Sequence, residues 1–383
     1  ASWTSGKYLV PMSDAKWALI TTDRQIPASF IDAMKRTGSG LGLKIADPVY
    51  GATDVTDQDI RKHAEAAKQR GARLLVLLSN HSNDHALLKE VEVEVDIVTQ
   101  EIKLSSLGKG PMTLQNICHK FNGKLGGVNL NITANDKDAQ ELLRKSLIIG
   151  LVVRHPEAIP AKDREARKRP QQPAIIAWGS NGGKLGNGTK IPDAQSTNFP
   201  GNFRFANPRE VDYNGDTQNI SLKNCIVDIL KQFKDNRGAV PMQVIVFRGG
   251  VSEGEFLHVA AKEKDVFLAA FATLNEKYKP GLSIIAVTKD HNDRFYRAVK
   301  KEGRAKEQNL PPGCVIDTKI VNPEFTEFYL QSHAALQGTA KASKYVLLHE
   351  PNKFGMNTVV GCVMDCQSEG PEIYSLLLSS LTG

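Results

Sequence analysis

His85 and Lys89 stand four residues apart in a segment whose apolar spacing predicts a helix, and Lys120 and Lys124 repeat that interval before Gly126. Residues four apart share a helix face, with Cβ atoms roughly 5–6 Å from each other, so each pair offers two polar heads to one neighbour. Gln100 ends a predicted strand between the two helices. An imidazole, three ammonium groups and an amide brought together would form an anion pocket. Each charge-assisted hydrogen bond to a phosphate contributes about 1.5–3 kcal/mol. The same spacing also suits solvated surface lysines, which is the commoner use of such pairs.

Positioning these groups needs a scaffold, and the first third of the chain supplies one by alternating strand and helix patterns. Lys16 to Thr22 predicts a strand, Ile26 to Arg36 a helix with Pro27 near its start, and Ile60 to Arg70 a second helix that Thr56 or Asp57 would cap. Arg73 to Leu78 is a continuous apolar run of the kind buried in parallel sheets. Asp84 to Glu90 predicts a helix, Val95 to Gln100 a strand, and Thr113 to Gly123 a helix stopped by Gly126 and Gly127. This alternation predicts a doubly wound sheet, with a ligand site beyond the carboxyl ends of the strands, against helix N-termini.

A polar stretch near Thr133 to Asp138 marks the expected boundary, giving domains of 1–135 and 136–383. The second domain opens with a strand at Leu147 to Val153. Further strands are expected at Met242 to Phe247 and Leu282 to Val287, with helices at Leu222 to Phe233 and Phe256 to Tyr278. Gly179 to Asn202, rich in Gly, Asn and Ser, predicts a long loop. The basic run Ala161 to Arg169 fits either a solvated loop or helix end, or an RNA contact.

At 383 residues the chain exceeds one core of ordinary size, and its 41% hydrophobic and 24% charged residues match a globular protein rather than a disordered one. A formal net charge of +7 favours an anionic partner such as nucleic acid. No apolar run reaches the roughly eighteen residues of a membrane span, and Ala1 to Lys7 lack the pattern of a signal peptide. The five scattered cysteines, Cys118, Cys225, Cys314, Cys362 and Cys366, predict reduced thiols inside a cell, cytoplasmic or nuclear, and no zinc site.

Four segments then carry a family resemblance. They are Lys124-Leu-Gly-Gly-Val-Asn129, Ile149-Gly-Leu-Val-Val-Arg-His-Pro156, Phe247-Arg-Gly-Gly-Val-Ser-Glu-Gly254 and Gln337-Gly-Thr-Ala-Lys341. In this order they resemble the MID and PIWI domains of a eukaryotic Argonaute, which implies a Rossmann-like doubly wound MID domain followed by an RNase H-like PIWI domain. The resemblance makes His85, Lys89, Gln100, Lys120 and Lys124 ligands of a guide RNA 5′-phosphate, with His85 standing where the family has tyrosine. An imidazole there can still stack on the first base, over less area and with a pH-dependent charge. The loop Ser79 to Asp84 occupies the place where the family reads that base. Lys289, Arg294, His333, Gln337, Lys341 and Tyr374 become ligands for the guide backbone, and the last three before Tyr374, four residues apart, share a face if that stretch is helical.

PIWI nucleases hold two divalent metals on carboxylates that activate water and stabilise the leaving oxygen. Here the matching positions read Val152, Gly249 and, after Pro371-Glu-Ile-Tyr374, Leu376. None supplies the oxygen that magnesium demands. Glu210, in Asn207-Pro-Arg-Glu210, stands where the family has a loop glutamate, but alone it would hold metal weakly and is read as an ordinary loop carboxylate. The segment between Cys366 and Pro371 is shorter than in the family, and an arginine expected in the 5′-phosphate pocket falls near Leu381. The N-terminal and PAZ domains are not in this chain, so a fragment is expected.

The expectation is therefore a non-cleaving, guide-binding lobe without catalytic or metal residues, with magnesium only in association with guide phosphates. Its partners would be a 5′-phosphorylated small guide RNA, complementary target RNA and silencing effector proteins, with no membrane. Two rivals remain: a guide-directed nuclease using Glu210 with other acids such as Asp365, and a protein-interaction module that binds no RNA.

Overall fold

The computed structural model describes residues 6–13, 16–80, 84–129, 145–166, 168, 170, 172–182, 199–207, 220–298, 303, 305–332, 334–335 and 338–350. These residues form two compact units, one up to Asn129 and one from Lys145 onward.

The first unit is a four-stranded parallel sheet. It contains β1 (Trp17–Thr21), β2 (Tyr50–Ala52), β3 (Leu74–Ser79) and β4 (Val98–Lys103), in the order β2-β1-β3-β4. Every residue of β1 and β3 is buried, which explains their unbroken apolar runs: helices cover both faces, so alternation has no purpose. On one face Trp17, Leu19, Val76 and Leu78 pack against α1 (Ala28–Gly40) and α4 (Pro111–Lys124). On the other, Ala18, Ile20, Leu75 and Leu77 pack against α2 (Ile60–Gln69) and α3 (Asp84–Val95). Each fully buried Leu or Ile contributes about 1.5–3 kcal/mol, so the two layers dominate the unit's stability.

Two details depart from expectation. The helix after β3 runs through Val95 instead of ending near Glu90, and the next strand starts at Val98 instead of Val95. The alternation of Val91, Val93 and Val95 with glutamates resembles a strand. However, Leu88 and Val91 bury against the sheet at helical spacing, and Asp96 breaks the helix at φ +54°. Thr56 does not cap α2; its hydroxyl donates to Asp59 Oδ2 at 2.6 Å.

The glycine pair after α4 has a clear physical cause. Gly126 takes φ +86°, and a Cβ on Gly127 would collide with the side-chain amide of buried Asn122. Asn122 accepts a hydrogen bond from Met12 N at 2.6 Å and donates to Val10 O at 3.2 Å and Asn129 Oδ1 at 2.9 Å. Asn129 in turn donates to His119 O at 3.2 Å. The run Gly126 to Asn129 thus clamps the end of the helix that carries Lys120 and Lys124.

The second unit is an eight-stranded mixed sheet in the order β10-β11-β12-β9-β8-β5-β6-β7. Its centre is β5 (Ser146–Arg154), β8 (Gln243–Gly249) and β9 (Gly281–Thr288), paired in parallel. Two antiparallel strands, β6 (Ala174–Ser180) and β7 (Gly201–Ala206), extend one side. On the other side lie β12 (Ser343–His349), β11 (Thr326–Gln331) and β10 (Cys314–Ile316). The short α5 (Ala161–Glu165) follows β5 within the basic run. The helices α6 (Ile220–Arg237) and α7 (Phe256–Leu274) pack on the face of Leu147, Ile149 and Leu151. Helix α7 ends four residues before the expected Tyr278, whose hydroxyl instead donates to Pro241 O at 2.7 Å.

The expected loop from Gly179 to Asn202 is corrected at both ends, because Gly179 and Gly201 are register partners in β6 and β7. Glycines that signal loops in sequence here permit close strand approach. The stretch from Ser332 to Lys341 is not helical at any of its described residues. Buried Asn309 organises it, donating to Gly338 O at 2.9 Å and accepting from Ala340 N at 3.0 Å.

Among the described residues no helix is long and apolar enough to cross a membrane. Cys118 and Cys225 are free thiols, and burial pushes them up to about 12 and about 11. Cys314 is also free, while Cys362 and Cys366 lie outside the described residues.

Candidate nucleic-acid interface

The edge strand β4 gathers most of the predicted anion ligands. From α3, Lys89 Nζ lies 2.8 Å from the Glu92 carboxylate. The same carboxylate oxygen accepts Thr99 N at 2.9 Å and the Thr99 hydroxyl. From α4, Lys124 Nζ donates to Thr99 O at 2.7 Å. Lys124 therefore binds Thr99 of β4 directly, and Lys89 is linked to the same residue through Glu92. Gln100 follows it, buried, with Nε2 donating to Glu101 O at 2.5 Å and Oε1 without a hydrogen-bond partner among the described residues. His85 Nδ1 sits 3.2 Å from Glu101 Oε2. Lys120 is exposed one turn before Lys124.

The groups line the edge of the sheet from Glu101 back to Thr99, rather than sitting only beyond the strands' carboxyl ends, as expected from the fold class. An edge strand leaves one side unpaired, so helices from both faces can reach it. Sequence reading missed Glu92, Thr99 and Glu101. The available signal for Glu92 was its position three residues after Lys89, one helical turn on the same face.

Burial would raise the Glu92 carboxyl, but the hydrogen bond and charge of Lys89, the Thr99 bonds and the charge of Lys124 together hold it below its ordinary value. A carboxylate lowered in the folded state stabilises the fold above its unfolded pKa and loses that contribution as pH falls through the folded value. Glu92→Gln is therefore expected to melt below wild type at neutral pH. The gap should close as pH drops under about 4, the ordinary carboxylate range. Thermal melts of both proteins across that range check this; a gap that persists unchanged in acid would contradict it.

In the second unit, Val152 on β5 is the register partner of Gly249 on β8. The two positions at which the family resemblance leads one to expect carboxylates are thus direct neighbours, at the roughly 4.8 Å spacing of paired strands. Their chemistry does not fit a divalent cation. Val152 packs with Ala177 and Ile175 in a small apolar cluster, and Gly249 has no side chain. Among the described residues no group of three His, Cys, Asp or Glu side chains comes together.

The nearby acids are engaged elsewhere. Glu255 accepts from Ser252 N at 3.0 Å and from its hydroxyl at 2.6 Å in a capping box, and these bonds lower its carboxyl. Glu253 pairs with Lys344 at 2.5 Å, and Lys344 also reaches Glu327 at 3.0 Å. Buried Arg248 holds buried Glu263 at 2.8 Å. Gly250 turns the chain at φ +73°, with room for a Cβ only 3.7 Å from Val153 O.

The guide-backbone candidates divide. Lys289 follows β9 and is half-buried, and desolvation lowers its ammonium. Arg294 Nη1 donates to His291 O at 2.8 Å and Asp293 O at 2.7 Å. Lys341 is exposed beyond the loop that Asn309 holds. His333, Gln337, Tyr374, Glu210 and Leu376 lie outside the described residues. So do Asp365, residues 81–83 of the expected base-reading loop, and Leu381.

A doubly wound parallel domain followed by a mixed sheet with a parallel centre and antiparallel arms is the architecture of a MID–PIWI lobe, with the second domain RNase H-like. The chain belongs to the Argonaute family: the family model of the Piwi domain matches residues 74–363. The Argonaute protein wago-1 of Caenorhabditis elegans is 29% identical over 341 residues, covering 87% of this chain and 33% of that protein. The chain thus spans about a third of the length of that curated relative. Among solved structures, the C-terminal lobe of a budding yeast Argonaute superposes with a TM-score of 0.70 at 17% identity, covering 93% of this chain and 74% of that one. The Kluyveromyces polysporus Argonaute with a guide RNA also gives a TM-score of 0.70, at 18% identity, covering 92% of this chain and 41% of that one.

Proposed function

We propose that this chain holds the 5′-phosphorylated end and the seed of a small guide RNA, and presents the guide to complementary target RNA for gene silencing without cutting the target. Residues 1–135 act as the MID domain that takes the guide's 5′ end, and residues 136–383 as a PIWI domain that takes the seed. Silencing then passes to recruited effector proteins.

One observation carries the reading: from helices on opposite faces of the sheet, Lys124 binds the Thr99 carbonyl and Lys89 binds Glu92, which itself accepts from Thr99, with His85 and Gln100 alongside on the same strand edge. A phosphate arriving there exchanges the internal partners of two ammonium groups for its own oxygens. Family membership and the likeness to an Argonaute solved with a guide RNA support the same assignment. The register pair Val152 and Gly249 supports the absence of cleavage, because a methyl-bearing side chain and a hydrogen cannot bind magnesium.

The test is direct. A short RNA with a 5′-phosphate should bind at least tenfold more tightly than its 5′-hydroxyl form, the gain of roughly one charge-assisted bond. Equal affinities, measured by titration at fixed salt, would overturn the assignment.

A further inference from the structure

The sheet face that bears Val152 continues into an exposed aromatic surface. Val152 pairs with Ala177 on β6, and Ala177 pairs with Phe203 on β7. One row along, Arg154 pairs with Ile175, and Ile175 with Phe205. Paired residues present their side chains to the same side of a sheet, and residues two apart on a strand share a face. Helices α6 and α7 occupy the opposite face. Phe203 and Phe205 are 49% and 60% exposed, and their rings meet edge to face with centroids 5.5 Å apart. Between them, Arg204 points the other way and binds Asp228 on α6 at 2.9 Å, which fixes both phenyl rings outward. Arg154 is exposed and has no ion-pair partner among the described residues.

We propose that Phe203, Phe205 and Arg154 form a stacking platform for unpaired RNA bases, on the sheet face where a cleaving relative would need metal ligands. Single exposed hydrophobics are ordinary, but two contiguous aromatics next to an apolar row mark a binding surface. Aromatic residues on an open sheet stack two or three successive bases in sheet-based RNA modules, and i,i+2 positions on a strand lie about 7 Å apart along the backbone. Stacking is sequence-tolerant because every base has a π face. Arg154 supplies the cation that a phosphodiester needs. An apolar peptide would cover the rings but leave that charge unmatched, so charge complementarity selects a polyanion with planar apolar parts.

This inference rests on the reading of the chain as an RNA binder but not on the 5′-phosphate pocket, so the probe is a 5′-hydroxyl oligouridylate. Its affinity is measured for the full chain, for Phe203→Ala/Phe205→Ala and for Phe203→Tyr/Phe205→Tyr, alongside an abasic oligonucleotide of equal length. The alanine pair should weaken oligouridylate binding by about tenfold or more, the usual effect of losing one stacked base. The tyrosine pair should restore it, and the abasic strand should bind all three alike. If wild type binds the oligouridylate and the alanine pair binds it equally well, the platform is refuted. Capture of an apolar peptide by the rings with unchanged RNA affinity refutes it too. If wild type binds no single-stranded RNA, the broader RNA reading fails and the platform falls with it.

Discussion

Replacing Lys89 and Lys124 together by alanine is expected to reduce affinity for a 5′-phosphorylated RNA by at least about a hundredfold, and to leave binding of the 5′-hydroxyl form nearly unchanged. Two charge-assisted hydrogen bonds at about 1.5–3 kcal/mol each give this range, since 1.4 kcal/mol is a factor of ten. The two changes are not equivalent inside the protein. Lys89 loses a bond to Glu92 that already neutralises it, whereas Lys124 loses a bond to the Thr99 carbonyl. Removing Lys89 alone also takes from Glu92 its hydrogen-bonded cation and leaves it only the charge of Lys124, close to where a phosphate would sit. The Lys89 variant should therefore be the weaker binder of the two singles.

The salt dependence gives a second readout. Each lost phosphate contact flattens the slope of log affinity against log salt by roughly 0.7 for a single strand. Circular dichroism melts establish that the fold survives. A folded double variant that still prefers the phosphorylated RNA tenfold would exclude these lysines from the pocket.

Installing two carboxylates, Val152→Asp with Gly249→Asp, is expected to lower the melting temperature by several degrees without metal and to recover it with millimolar Mg²⁺ or Mn²⁺. Two ionised oxygens on paired strands lie about 5 Å apart in a mostly buried setting, so they repel each other and lose hydration. A cost of about 2 kcal/mol moves the transition of a domain this size by roughly 4–8 °C. A divalent cation that binds only the folded state recovers it by mass action. Wild type should show no such recovery, because Val152 and Gly249 offer no ligand. Wild type loaded with a guide should also leave a matched target intact. A central cut by wild type in the presence of magnesium would overturn the non-cleaving assignment. A double variant indifferent to metal would show that the two positions do not face a common site.

Much of this was legible in the chain. The continuous apolar run within Arg73 to Leu78 announces a buried parallel strand, because a strand covered on both faces has no polar side to alternate with, and Leu147 to Val153 announces the strand that opens the second domain. The i,i+4 pairs His85–Lys89 and Lys120–Lys124 announce shared helix faces, since 3.6 residues make a turn. That Val152 and Gly249 carry no carboxylate is visible as well, since it is a matter of residue type alone.

Other features depend on partners distant in the chain, and no local pattern encodes them. Glu92 as the acceptor joining Lys89 to Thr99 requires α3 to lie against β4. The strand ends at Gly179 and Gly201 look like loop until they pair, because these glycines serve strand contact rather than turning. The loop at Gly338 depends on Asn309, 29 residues earlier. That Phe203 and Phe205 share a face with Val152 follows only from sheet register, which hydrogen bonding between strands decides and a single-strand pattern does not. Local periodicity is a property of one segment and its backbone geometry; register, partner choice and the burial of a charge are properties of two segments at once, and they exist only after the chain has folded.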